Sequence, residues 1–278
     1  MKKIIPALLL CAAASAQAAD WSDTSLSVRT GNKFAEPFGR TDISKNILNF
    51  SHVSGYKYGT NFFSIDYLMS DKKDPDLAGN GAREFYAVYR NTVDLEKAAG
   101  ISVKNSLLRG MGVTAGFDAN SKNDIGYNSK KQMLVLGPTW MVDVPGFLNV
   151  SLLQLWESNA PCSYSSTTAG ACKSRYSYDA HPMLNLAWGI PFKAGSVPLS
   201  FEGYANFITA KGKNEYGGDT AAETLIDMQV MYDLSGNKTF KVGFEYQWWK
   251  NKFGNDYKGA AGPGAFAKTP MLRAEYHF

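Results

Sequence analysis

Two groups of residues in this 278-residue chain could do chemistry. Cys162 and Cys172 flank a short run of Ser, Thr, Ala and Gly; with no CxxC and no clustered His beside them, they suit a disulfide closing a small loop, not a metal. The second group is polar residues at every second position of short runs: Asp66; Glu84, Tyr86 and Arg90; Glu202, Tyr204 and Asn206; Glu245, Gln247 and Trp249; and Arg273. Strand geometry puts alternate residues on one face, so each run offers a wall of carboxylates, amides, guanidinium groups and rings. Such a wall can stack on a flat ring and hydrogen-bond sugar hydroxyls, which is binding without bond-breaking.

Hydrolysis has less to stand on. The histidines are His52, His181 and His277, and neither GxSxG nor HExxH occurs. His52 has Ser and Asn nearby in sequence, but it falls on the apolar phase of its run. The chain is read as a non-enzyme with no cofactor and no metal.

These residues sit on elements that alternate throughout. The final Met271-Leu272-Arg273-Ala274-Glu275-Tyr276-His277-Phe278 puts Leu272, Ala274, Tyr276 and Phe278 on one face and three charged or titratable residues on the other. At the opposite end, Lys2 and Lys3 precede an apolar run to Ala14 and the small-residue site Ala16-Gln17-Ala18, which reads as a signal peptide over 1–18. Without those two lysines, 27 basic residues face 25 acidic ones, so no basic excess points to nucleic acid. No run of about 18 apolar residues could make a spanning helix. Residues 19–278 therefore read as one domain crossing the outer membrane of a Gram-negative bacterium as strands: an all-β, antiparallel up-and-down barrel. A soluble periplasmic sandwich would alternate similarly; the terminal Phe278 and the Tyr/Trp-rich apolar face favour the barrel.

Twelve strands are expected near 22–30, 44–54, 59–70, 82–92, 110–119, 131–142, 147–157, 180–190, 197–210, 222–234, 238–250 and 270–278. Short turns, including Pro191–Pro198, alternate with long polar loops at 31–43, 71–81, 119–130, 158–179, 211–221 and 251–269. The long connection at 93–109 is expected to hold a small periplasmic helix, with Leu95–Ala99 and Ile101–Leu108 as its helical stretches. The apolar phase sends Phe63, Ile65, Tyr67, Leu134, Trp140, Phe244 and Trp248 to lipid. The other phase predicts a wet, polar bore in which acidic groups outnumber Arg29, Arg90, Lys241 and Arg273. Twelve strands leave a narrow slot, wider than eight and narrower than sixteen.

One stretch carries a family resemblance: Phe34-Ala35-Glu36-Pro37, then Ile43-Ser44-Lys45-Asn46-Ile47-Leu48-Asn49-Phe50-Ser51-His52-Val53-Ser54-Gly55-Tyr56-Lys57-Tyr58-Gly59-Thr60-Asn61-Phe62-Phe63-Ser64-Ile65-Asp66-Tyr67, and Glu84-Phe85-Tyr86-Ala87-Val88-Tyr89-Arg90. It resembles the Tsx-like nucleoside-specific outer-membrane channels, most densely over 25–92. The resemblance implies a monomeric twelve-stranded barrel that passes nucleosides or similar small solutes, with outer-membrane lipid around it. Its polar residues Glu36, Lys45, Asn61, Asp66, Glu84 and Arg90 become site candidates, with Asp66, Glu84 and Arg90 as a possible charge cluster and Phe34 and Glu36 as a constriction loop. The outer loops are candidate phage or bacteriocin receptors. Other functions to be weighed are a general small-solute pore and a structural or adhesive barrel.

Overall fold

The computed structural model describes residues 19–38, 40–163 and 171–278; the signal-peptide reading of 1–18 lies outside them. Twelve long strands form the wall: β1 (Trp21–Glu36), β2 (Arg40–Tyr56), β3 (Gly59–Ser70), β4 (Arg83–Asp94), β5 (Leu108–Lys122), β6 (Gln132–Val142), β7 (Phe147–Asn159), β8 (His181–Ala194), β9 (Val197–Ile208), β10 (Glu223–Asp233), β11 (Phe240–Lys250) and β12 (Phe266–His277). Each pairs antiparallel with the next in the chain, and β12 pairs with β1, so the sheet closes into a barrel without a free edge.

Alternation sets the facing. Leu26 and Val28 of β1 are exposed on the outer wall while Ser25, Ser27 and Arg29 between them are buried. The register carries this phase around the barrel: Leu26 lies opposite Phe50, Phe50 opposite Ile65, and Ile65 opposite Ala87. Leu272 is 65% exposed and Phe244 52%, areas that need lipid, not water, against them. All the residues named above as lipid-facing lie on this outer phase, and His52 joins them, bonded to Thr24 Oγ1 at 2.8 Å. Trp188 fits against the outer wall because Gly203 opposite it has no Cβ; one built there would meet Trp188 Cζ2 at 2.8 Å.

Four local expectations are corrected. The loop at 31–43 is mostly strand: β1 continues to Glu36 and β2 begins at Arg40, through register shifts after Gly31 and Phe34 that absorb the turn-like sequence. Strand pairing continues through Pro191 to Lys193↔Pro198 and Ala194↔Val197, which leaves only Gly195 and Ser196 to turn. The last strand starts at Phe266 rather than 270. In the long periplasmic connection, α1 (Leu95–Ala99) is capped by Asp94, whose side chain accepts from the Glu96 and Lys97 amides, and it stops at Gly100 in the left-handed region. Ile101–Leu108 is not helical, since Asn105 instead forms a turn with Leu107 and Leu108.

Beyond the outer rim, Cys162 and Cys172 are joined as a disulfide, as expected from sequence. The pair is tied to the neighbouring loop by backbone bonds between Cys162 and Asn128, at 2.8 and 3.0 Å.

Candidate functional site: the bore

The inward phase of the strands, read from the register, gathers the polar residues assigned to the bore, with the exception of Asn61. Around mid-height the pattern is an ion-pair lattice. Arg29 (β1) bonds Glu245 (β11) at 3.0 Å and Asp66 (β3) with its other nitrogen, while Arg273 (β12) takes the second oxygen of Glu245 at 3.1 Å and also holds Glu275. Asn49 donates to Asp66 at 2.7 Å, and Gln247 donates to Asp227 at 2.9 Å. On the adjoining wall Arg90 pairs with Asp118 at 2.6 Å, and Tyr86 donates to the same carboxylate at 2.9 Å. Asp66, Glu84 and Arg90 therefore do not cluster with one another: each is claimed by a different partner, Glu84 by Asn120. Asn61 is also misplaced, since it lies on the outer phase and accepts from Tyr89 at 2.8 Å.

The bore is less uniformly wet than the alternation implies. Met133, Val135, Leu153, Leu155 and Met183 point inward from β6, β7 and β8 as one dry cluster. Phe34, Ile43, Ile47 and Met271 make a second, on β1, β2 and β12. These bulky groups occupy part of the bore, so the polar lattice does not line it all the way round.

One aromatic group stands clear of that lattice. Tyr204 (β9) remains 37% exposed on the inward phase, with no hydrogen bond to another described residue, and its register neighbour across the sheet is Asp227. Asn206 beside it accepts from Asn185 at 2.7 Å, and Glu202 accepts from Gln229 at 3.1 Å. The third aromatic candidate, Trp249, is engaged: its indole donates to Glu223 at 2.6 Å, with the Lys252 ammonium 4.5 Å from its ring.

The outer mouth joins the candidates Glu36 and Lys45 to charges that the sequence reading did not single out, Lys122, Lys252, Asp74 and Asp124. Glu36 is buried inside it and receives Lys45 at 2.6 Å, Lys252 at 3.2 Å and Lys122 at 3.5 Å. Two loop carboxylates complete the knot: Asp74 and Asp124 both pair with Arg40, at 2.8 and 2.5 Å, and with Lys122. Burial works to raise both carboxyls; in Asp124 the hydrogen bond from Asp74 together with Lys122 and Arg40 outweighs it and holds the group far below its usual range, whereas Asp74 is left raised. Burial likewise pushes the Lys252 ammonium down against the pull of Glu36. A similar set lies across the mouth, where Glu157 binds Lys211 at 2.6 Å beside Lys131 at 3.8 Å. So the outer half of the bore balances its acids with lysines, and the acidic excess holds only lower down. Lys122 fell within the segment read as loop, 119–130, although it ends β5, and Lys131 stood at the first position of the strand expected over 131–142.

Above the knot, a cleft of about 330 Å³ is lined by Phe38, Arg40, Pro75, Ile125, Gly126 and Tyr127. Tyr127 and Tyr178 both donate to Glu215, the latter at 2.7 Å, which ties three outer loops together. Phe34 and Glu36 thus lie at the end of β1, buried within the outer mouth, and not in a loop. Among the described residues no cluster of His, Cys, Asp and Glu could hold a metal.

No family model matches the chain, and no curated protein does. Among solved structures it is similar to the translocator domain of the autotransporter NalP from Neisseria meningitidis, at 10% identity over 98% of this chain and 94% of that one, with a TM-score of 0.50. It is also similar to the NanC porin (11% identity, 91% and 98% covered, TM-score 0.44) and the KdgM porin (11%, 91% and 99%, 0.43). At identities this low the likeness concerns the fold, a closed outer-membrane type of barrel.

Proposed function

We propose that the protein is a passive, monomeric channel of the Gram-negative outer membrane that admits nucleosides or similar small ring-bearing solutes, and that it performs no catalysis. The observation that carries this reading is Tyr204, an aromatic face left bare inside the bore beside Asn206, Asp227 and Glu202. A planar base can stack on that ring, while ribose hydroxyls exchange their water for the neighbouring carboxylates and amides. Binding of this kind is weak enough to release the solute at the far side, as conduction requires. The resemblance over residues 25–92 supports the same substrate class. The tyrosine-rich outer loops serve in this reading as a capture surface, and they are also where a phage or bacteriocin would attach.

The test is swelling of liposomes loaded with purified protein, with nucleosides, free sugars of matched size and nucleoside monophosphates outside. Nucleosides should enter fastest. Monophosphates should be slowest, because acids outnumber bases around mid-bore and repulsion is strong in a narrow low-dielectric slot. Equal rates for nucleosides and sugars would make it a general pore.

A further inference from the structure

Three lysines collect on the outer wall where β11 and β12 reach the outer rim. On β11 the outward phase runs Tyr246, Trp248, Lys250; on β12 it runs Phe266, Lys268, Pro270, in register with them as Lys250↔Phe266 and Trp248↔Lys268. Ala267 and Thr269, which alternate with these, are buried toward the bore. The loop joining the strands adds Tyr257 and Lys258 to the same side: Tyr257 packs on Phe266 with centroids 5.1 Å apart, and Trp248 meets Phe266 edge-on at 5.1 Å. The ammonium groups ring this aromatic group. Lys268 lies 4.7 Å from the Phe266 centroid, and Lys250 and Lys258 each lie 5.8 Å from that of Tyr257.

Among the described residues none of the three lysines has an ion-pair partner. Asp256, the acid on the same loop, accepts from the Lys258 backbone amide at 2.9 Å and is not within ion-pair distance of the three ammonium groups. The acid beyond β12, Asp42, is taken by Lys33 at 2.8 Å. Three unpaired cations beside a lipid-facing aromatic cluster therefore stand at the level of the outer-leaflet headgroups, and that pairing of charge with apolar rings matches one kind of molecule.

We propose that the outer rim of β11 and β12, with the loop between them, is a binding site for a phosphate-bearing lipid of the outer leaflet. The lysines take the phosphate oxygens as point charges, and the rings of Trp248, Tyr257 and Phe266 pack on the headgroup and upper acyl chains. The site rests on the outer-membrane placement proposed above, with the long loops outside.

The experiment compares wild type with a Lys250→Gln, Lys258→Gln, Lys268→Gln variant, each refolded in neutral detergent and first scored for barrel formation by the mobility shift between unheated and boiled protein. Failure of that shift in the wild type counts against the barrel placement itself; retention of the shift isolates the lipid question. Lipid bound per barrel is then measured by native mass spectrometry with a bisphosphorylated acyl disaccharide, its dephosphorylated counterpart, and inorganic phosphate alone. Wild type should hold the phosphorylated lipid on the order of a hundredfold more tightly than the triple variant does, as three near-surface lysines imply. Replacing the three with Arg should preserve binding. Equal affinity in wild type and triple variant, or equal affinity for the dephosphorylated lipid, would overturn the proposal; so would binding of inorganic phosphate alone as strong as that of the lipid.

Discussion

Arg29 and Glu245 stand 216 positions apart in the chain and bond at 3.0 Å inside the bore, although β12 separates their strands. Arg273, on that intervening strand, takes the other oxygen of the same carboxylate, so Glu245 is shared by two guanidinium groups that are themselves cross-strand neighbours. Removing it leaves Arg29 and Arg273 facing each other at the seam where the barrel's first and last strands meet, each with one carboxylate remaining, Asp66 and Glu275. Glu245→Ala should therefore cost about 1.5–3 kcal/mol. The check is the urea midpoint of the unheated-to-boiled mobility shift, which should fall in Glu245→Ala and fall less in Glu245→Gln. An unchanged midpoint would mean the lattice is solvated and slack.

Glu36 is the anion to which Lys45, Lys122 and Lys252 converge. In Glu36→Gln that outer mouth becomes net positive. Planar-bilayer reversal potentials should move toward anion selectivity, strongly at 0.1 M salt and little at 1 M, where screening acts within about 3 Å. Adding Lys252→Gln should return the potential toward its starting value. A shift that ignores salt, or none, would place the conducting path elsewhere.

Much of this architecture is legible in the sequence. The strand count and the facing of Arg29, Asp66, Tyr204 and Glu245 follow from period-two alternation, because one buried face fixes register. What failed has physical causes. Met133-Leu134-Val135-Leu136 and Leu152-Leu153 are apolar on both faces, so nothing in them announces that Met133, Val135 and Leu153 turn inward. Gly31 reads as the start of a loop, but register shifts after it and after Phe34 let β1 run on to Glu36 and carry Phe34 and Glu36 into the mouth. Pairing choices such as Arg90 with Asp118 depend on which neighbour lies closest across the sheet, a matter of geometry that residue types leave open.

The bridge between Cys162 and Cys172 should matter little to insertion. Closing so short a loop contributes at most about 3 kcal/mol, and the backbone bonds between Cys162 and Asn128 do not need the sulfurs. A Cys162→Ser, Cys172→Ser variant should reach the membrane at wild-type yield and be cut faster within 160–180 by added protease. Free thiols in wild type purified without reductant would contradict the bridge.

Phe278 donates its amide to Thr24 at 3.0 Å and stacks its ring edge-on against Tyr276, 5.2 Å away, on the outer phase. Deleting it removes the last rung at the closing seam and a lipid-facing ring. Assembled barrel in the membrane fraction should drop several-fold while total synthesis stays constant. Full assembly without it would show that the seam closes on β12 alone.

Tyr204 gives the sharpest test of solute choice. Its hydroxyl is unbonded to other described residues and its ring is bare, so Tyr204→Ala removes little support from the wall. A base stacked on an aromatic side chain gains about 1–3 kcal/mol. Losing that contact should weaken nucleoside binding in the bore by roughly five- to a hundredfold, while widening the slot speeds simple sugars slightly. Tyr204→Phe should keep the wild-type preference, since stacking needs the ring and not the hydroxyl. The measurement is nucleoside-induced current block in planar bilayers, with swelling rates for matched sugars alongside. If Tyr204→Ala leaves the nucleoside block intact, or if Tyr204→Phe abolishes it, stacking on this ring is not what the channel uses to choose its solute.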